Sequence, residues 1–305
     1  MLRTSSLALG TGLPAIVDLD DLLSRRYKEL ADGRAESATV LGYYAGSVPR
    51  IVRPLLARVA AMLIGVEARL VARREAVVGR AAQGVSLVAE DEAAAFAARI
   101  GRPVAWLPMA VDVVPTAAPV ATNPDDRIVF VGGLDYHANL EAVRAYVDEV
   151  APALAALGLD RLRLRVVGHC PEAVHAELGS SAVVELLGYV DDLDSELAAA
   201  RAFVAPIPPG TGVKTKVLEA MAAGLPVVST PDGVTGIGVV AGEHCLVGST
   251  PTELAQAVAR LVADPEEAAR IGAAGRAIVE ERFSRAVVTE RWRAVLESMP
   301  PGGAT

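Results

Sequence analysis

Residues 208–230 read PPGTGVKTKVLEAMAAGLPVVST. An apolar run at 202–206 precedes them and predicts a buried strand. Gly210 and Gly212 then open a loop, and residues 213–223 predict a helix that Gly224 stops. A second strand is expected at 226–229. Glycines let the chain turn sharply and let a ligand approach the backbone amides. The first amides of a helix lack internal partners and carry partial positive charge. Loop and helix start together make an anion site suited to phosphate, to which Lys214 and Lys216 add two formal charges. Glu219 is expected to share a helix face with Lys216 or Thr215. A carboxylate set back from a phosphate site can accept hydrogen bonds from ribose hydroxyls. Taken alone, a Gly-x-Gly fits an ordinary loop-to-helix junction equally well.

Working outward, short apolar runs alternate with helical patterns. Strands are expected at 128–131, 162–167, 183–187 and 245–247, and helices from Asn139 and over 192–200, 251–263, 265–282 and 284–299. Asn139 is read as the N-cap of its helix. Upstream, strands are expected at 15–18, 84–89 and 103–107, with helices over 20–30 and 90–100. This alternation implies βαβ units and a parallel sheet, the α/β class, whose ligands bind at the carboxyl ends of strands. Gly132, Gly133, Gly168, Gly188, Gly210 and Gly212 fall at such ends. Residues 115–126, rich in Pro, Ala and Asn, read as a linker. The expected division is therefore 1–118 and 119–305, with the final helix packing back on the first part.

Composition bounds the rest. The chain has 305 residues, 52% hydrophobic and 22% charged, as expected of about two globular domains. A net charge of −8 excludes a global electrostatic grip on nucleic acid. Cys170 and Cys245 form no CxxC pair, so a reducing, cytoplasmic setting is the simpler reading. The apolar stretch 7–17 runs into Asp18, Asp20 and Asp21 without a cleavage site and reads as coil leading to a strand. Residues 51–78 are apolar but carry Arg53, Arg58, Glu67, Arg69, Arg73 and Arg74, which argues for an amphipathic helix rather than a span. Its arginines fit a solvated face, with peripheral contact to an anionic membrane surface as the alternative. Asp18, Asp20 and Asp21, carboxylates at a strand-to-helix junction, fit helix caps, with a metal site or an acid/base pair as the alternatives. His169-Cys170 and His244-Cys245 are adjacent pairs whose side chains diverge in extended chain, so no metal site is expected.

The string at 208–230 resembles the donor-site signature of glycosyltransferase family 4, formerly group 1, with the GT-B fold. Lys216, Glu219, Ala220, Met221, Ala222, Gly224, Pro226, Val227 and Thr230 match K-x-x-EAMA-x-G-x-PVV-x-T. Residues 128–133 with Asn139, 164–168 and LGYVDDL at 187–193 extend the likeness, which runs from about Arg127 onward. The resemblance implies retaining transfer of a sugar from a nucleotide-diphosphate sugar, with no metal or other cofactor required. It implies that Glu219 binds the ribose. Gly210, Thr211, Gly212, Val213, Lys214 and Lys216 would hold the diphosphate. Val190 and Asp191 would neighbour the base, and Gly132 and Gly133 the sugar. The acceptor, a sugar, a lipid-linked sugar or a small molecule, is not specified.

Weaker matches lie at 14–27, 85–92 and 106–112, where Met109 and Ala110 replace the usual Asn and Gly. Thr211 stands where the first carboxylate of the family's E-x7-E pair is usual, and no histidine precedes His137. The matches begin in the middle of an acceptor domain, so that half is expected to be truncated and open to completion by a partner chain or a second copy. Two further readings stand beside the transferase: an inactive or auxiliary donor-binding GT-B protein, and a GT-B nucleotide-sugar epimerase. The EAMA string favours the transferase.

Overall fold

The structure, a computed structural model, describes residues 15–32, 52–113, 127–210 and 212–299. The expected linker at 115–126, Thr211 and most of the apolar stretch 7–17 lie outside them. The chain divides into two compact units. One comprises residues up to Met109, the short stretch Pro209–Val213 and residues from Val288 onward. The other comprises Ala110–Pro208 and Lys214–Val287.

In the first unit, β1 (Ile16–Asp18), β2 (Gly84–Leu87) and β3 (Ala105–Trp106) form a parallel sheet in that order. Helices α1 (Leu23–Ala31), α2 (Arg53–Ala81) and α3 (Glu90–Ile100) accompany it. The core gathers Val17, Leu22, Val78, Val85, Leu87 and Phe96. Glu75 of α2 is 1% exposed, and an unpaired carboxylate there would be costly. It accepts from the Ser24 amide at 3.0 Å, the Ser24 hydroxyl at 2.6 Å and Arg99 at 2.8 Å. Gly101, left-handed at φ 73°, ends α3. The Arg291 guanidinium stacks 3.9 Å over the Trp106 ring, whose Nε1 donates to the Val88 carbonyl at 3.0 Å.

The second unit is built on β4 (Arg127–Val131), β5 (Arg163–Val167), β6 (Val184–Gly188), β7 (Ala202–Ala205), β8 (Val227–Ser229) and β9 (Leu246–Val247). All are parallel, in the order β6-β5-β4-β7-β8-β9. Their apolar runs suit strands covered on both faces. Ile128, Phe130, Leu164, Phe203, Val204 and Val228 are all 0% exposed. In chain order the strands run 3-2-1-4-5-6, the doubly wound order whose reversal between β4 and β7 opens a ligand crevice at the carboxyl ends.

Its helices are α4 (His137–Ala145), α5 (Ala151–Ala156), α6 (Glu172–Leu178), α7 (Leu193–Ala198), α8 (Thr215–Ala222), α9 (Pro251–Ala263) and α10 (Pro265–Phe283), while α11 (Arg285–Glu297) belongs from Val288 onward to the first unit. Asp192, Thr250 and Asp264 cap α7, α9 and α10 by accepting from the amides of Ser195, Glu253 and Glu267. A π turn at Tyr146–Val150 joins α4 to α5. Pro152 lacks an amide and its ring would clash with the carbonyl four residues back, which accounts for the widened turn just ahead of it.

Three expectations change. Helix α4 starts at His137, and Asn139 lies inside its first turn without capping it. Helix α8 starts at Thr215, which leaves Val213 and Lys214 ahead of it. Helix α6 is an addition that the sequence pattern does not announce.

Candidate functional site

The carboxyl ends of β4, β5 and β6 are wound together through glycines. The Gly132 amide donates to Val167 at 2.8 Å and the Gly168 amide to Gly188 at 2.8 Å. Gly168 has φ 139°, and a Cβ there would lie 2.6 Å from the Gly132 carbonyl carbon. Only a residue without a side chain permits that backbone approach. The Leu134 amide donates to the His169 carbonyl at 2.7 Å, which folds the Gly132-Gly133 loop over the end of β5.

Lys216, in the first turn of α8, reaches this loop from the far side of the switch point. A Cβ on Gly132 would lie 2.9 Å from its ammonium nitrogen and 2.6 Å from the Asn139 amide nitrogen. The Lys216 ammonium donates to Asn139 Oδ1 and lies 4.7 Å from the centre of the Phe130 ring. Asn139 Nδ2 in turn donates to the Gly133 carbonyl at 2.7 Å. Asn139 is 6% exposed. It therefore ties the loop after β4 to the helix after β7. A sequence reading finds its cap-like position but not this partner, which stands 77 residues away.

Electrostatics single out the same lysine. Burial, and then the neighbouring Lys214, push Lys216 down to about 8, against the opposing pull of Glu219. Lys216 makes no ion pair closer than 4.0 Å to a described carboxylate, so an incoming anion would meet a cation already desolvated. Glu219 stands one turn further along α8, with its side chain open to solvent. Partial desolvation pushes its carboxyl up and Lys216 pulls it down.

Below the site, Phe130 and Phe203 stack with ring centres 6.2 Å apart, which stiffens the two strands that flank the crevice. The Thr230 hydroxyl donates to Ile207 at 2.7 Å and the Ser229 hydroxyl to Ala205 at 2.8 Å, fixing the end of β8 to the chain leaving β7.

The structure thus brings Gly132, Gly133, Lys216 and Asn139 together, with Glu219 beside them. Val190 and Asp191 follow the end of β6, where the Tyr189 ring, 83% exposed, stacks on His169 at 6.2 Å. Sequence reasoning misses this aromatic pair; its one signal there is an aromatic residue next to a strand-ending glycine. Gly212 is left-handed at φ 80°, and Gly210, Gly212 and Val213 belong to the other compact unit by their packing. Thr211 lies outside the described residues. In the first unit, Asp20 is a non-glycine residue at φ 61° after β1. Desolvation, then Asp21 and Asp18, raise its carboxyl. Asp18 accepts from the Ser86 hydroxyl at 3.0 Å and from the Asp20 amide at 3.3 Å, and it caps no helix. No cluster of metal-ligating side chains occurs among the described residues.

Residues 125–264, just under half of the chain, match the family described as glycosyl transferases group 1. A GDP-mannose-dependent monoacylated alpha-(1-6)-phosphatidylinositol monomannoside mannosyltransferase of Corynebacterium glutamicum is 34% identical over 126 residues, 38% of this chain and 33% of that protein. Among solved structures, Anabaena Alr3699/HepE with UDP-glucose superposes with a TM-score of 0.64 at 16% identity, over 98% of this chain and 77% of that one. TarM, from S. aureus, gives a TM-score of 0.63 at 14% identity, over 75% of this chain and 46% of its own. The match thus spans a third of the curated relative and under half of TarM. The fold is that of the GT-B glycosyltransferases, and residues 125–264 carry a domain of the group 1 type.

Proposed function

We propose that this chain is a glycosyltransferase that takes a sugar from a nucleoside-diphosphate sugar and transfers it with retention of configuration. The observation that carries the reading is the half-buried Lys216 ammonium, held by Asn139 against the Gly132-Gly133 loop at the switch point of the sheet. A diphosphate placed there would meet Lys216, Lys214 and the Thr215 and Lys216 amides at the start of α8. The same positive charges would stabilise the diphosphate as it leaves, and fixed charge aimed at a developing anion lowers a barrier more than most other effects. Glu219 is assigned to the ribose, Val190 and Asp191 to the base, and Gly210 to Val213 to the diphosphate. No metal ion is assigned to the reaction.

The similarity to a GDP-mannose-dependent enzyme makes GDP-mannose the first donor to test, and its lipid-glycan substrate suggests a lipid-linked or glycan acceptor. UDP-glucose is the second donor, from the Anabaena complex. The assay follows release of the nucleoside diphosphate, by hydrolysis or transfer, with and without a chelator. Turnover that survives the chelator and falls in Lys216→Met supports the reading. A second reading, a donor-binding auxiliary chain, draws on Thr211 in place of the usual carboxylate. It predicts donor binding without turnover. No binding of any nucleoside-diphosphate sugar would sink both.

A further inference from the structure

Helix α2 presents an apolar face that the first unit does not cover. Across residues 55–67 of this helix no residue is buried. Leu55 and Met62 are each 64% exposed, and Leu63 and Leu70 each 58%. Val59 and Val66 belong to the same exposed set. These six positions are spaced by the threes and fours that put side chains on one helix face, so they form one continuous stripe about four turns long. The core contacts of α2 lie on other positions and toward its C-terminal half, at Ala68, Glu75, Ala76 and Val78.

Charge follows the stripe. Arg58, Arg69 and Arg73 fall along one edge by the same spacing, Arg74 falls on the other, and all four are exposed. None forms an ion pair with a described residue. Of the two acidic residues in α2, Glu75 is buried in the Ser24 and Arg99 contacts, which leaves Glu67 alone at the surface. This basic edge stands out in a chain whose net charge is −8.

We propose that α2 lies flat on an anionic phospholipid surface, with the Leu55–Leu70 stripe in the headgroup–acyl boundary and Arg58, Arg69, Arg73 and Arg74 at the lipid phosphates. An apolar face rimmed by arginines is the pattern of helices that lie in a membrane interface. A second copy fits less well, because a two-fold pairing on the stripe would set arginine edges near each other. A protein groove also fits less well. The stripe holds flexible aliphatic side chains and no Trp or Tyr anchor of the kind that dominates such contacts. No described helix is long and apolar enough to cross a membrane, so this contact is peripheral.

The test is co-sedimentation of the full chain with vesicles of phosphatidylcholine alone or mixed with phosphatidylglycerol. Donor binding plays no part in it. The chain is expected to pellet with the mixed vesicles, much less with the neutral ones, and less as salt is raised. Leu63→Ser with Leu70→Ser should weaken partitioning at least tenfold. Arg69→Glu with Arg73→Glu should abolish the preference for anionic lipid. All four positions are exposed, so the variants should melt with the parent. Equal partitioning of parent and variants, or no binding to either vesicle, overturns the proposal. So does a dimer in light scattering that Leu63→Ser with Leu70→Ser dissociates, since a second copy would then own the stripe.

Discussion

Lys216 gives the site a pH dependence that can be worked out in advance. Its ammonium lies over Phe130 and against Asn139, and burial pushes it down to about 8 from the ordinary 10.5. The diphosphate of a nucleotide sugar prefers the charged form. The fraction of free protein carrying the ammonium falls about tenfold between about pH 7 and pH 9, so donor affinity should fall about tenfold, about 1.4 kcal/mol. Above pH 8, binding should draw a proton onto Lys216. Calorimetry with GDP-mannose or UDP-glucose, in buffers of different ionisation enthalpy, measures both effects. Lys216→Arg keeps its charge and should bind with a nearly flat profile. Stability runs on the same linkage. A lysine whose folded value is depressed costs stability while protonated, so stability should rise as pH climbs from about 8 toward 10.5. At neutral pH, Lys216→Met should melt higher than the parent, by an amount on the order of 1 kcal/mol. The same tenfold slope in Lys216→Arg, or a flat profile in the parent, would refute the reasoning.

Other expectations follow from the same geometry. Asn139→Leu removes both the acceptor for Lys216 and the donor to Gly133. It should weaken donor binding about tenfold or more, whereas Asn139→Asp should move the alkaline fall in affinity to higher pH by favouring the ammonium. Titrations across pH check both variants. Gly168→Ala drives a Cβ against the Gly132 backbone at φ 139°, so it should cost about 2 kcal/mol or more. Gly188→Ala, left-handed at φ 70° but with open space around its Cβ, should cost only about 1–2 kcal/mol. Thermal melting of the pair separates backbone strain from collision.

Much of this architecture is written in local pattern. The apolar runs at β4, β5 and β7 are too short for helices and end in glycine or proline, and α9 follows from Pro251 and its Thr250 cap. The loop proposed to hold the diphosphate is legible because glycines and lysines sit between a buried strand and a helix. What is not legible depends on distant partners. Asn139 has the look of a cap, and only the fold shows that Lys216 claims its oxygen. Strand order is likewise a tertiary fact, so the placement of the β4 and β7 ends on either side of one crevice is not visible in sequence. Helix α6 escapes because it is short and, unlike α7 with its Asp192 cap, starts after Pro171 without a capping side chain. The exposed stripe of α2 has the same hydrophobic spacing as a core helix, and only burial distinguishes them.

The central claim is that the start of α8 holds a nucleoside-diphosphate sugar, with Glu219 on its ribose. Calorimetric titration of the full chain and of Glu219→Ala with GDP-mannose and UDP-glucose tests it most directly. Glu219 is exposed, so the variant should fold as the parent does. The account predicts binding of at least one donor by the parent and a loss of about tenfold or more in the variant, in line with removal of a charge-assisted hydrogen bond. Unchanged affinity in Glu219→Ala would contradict it.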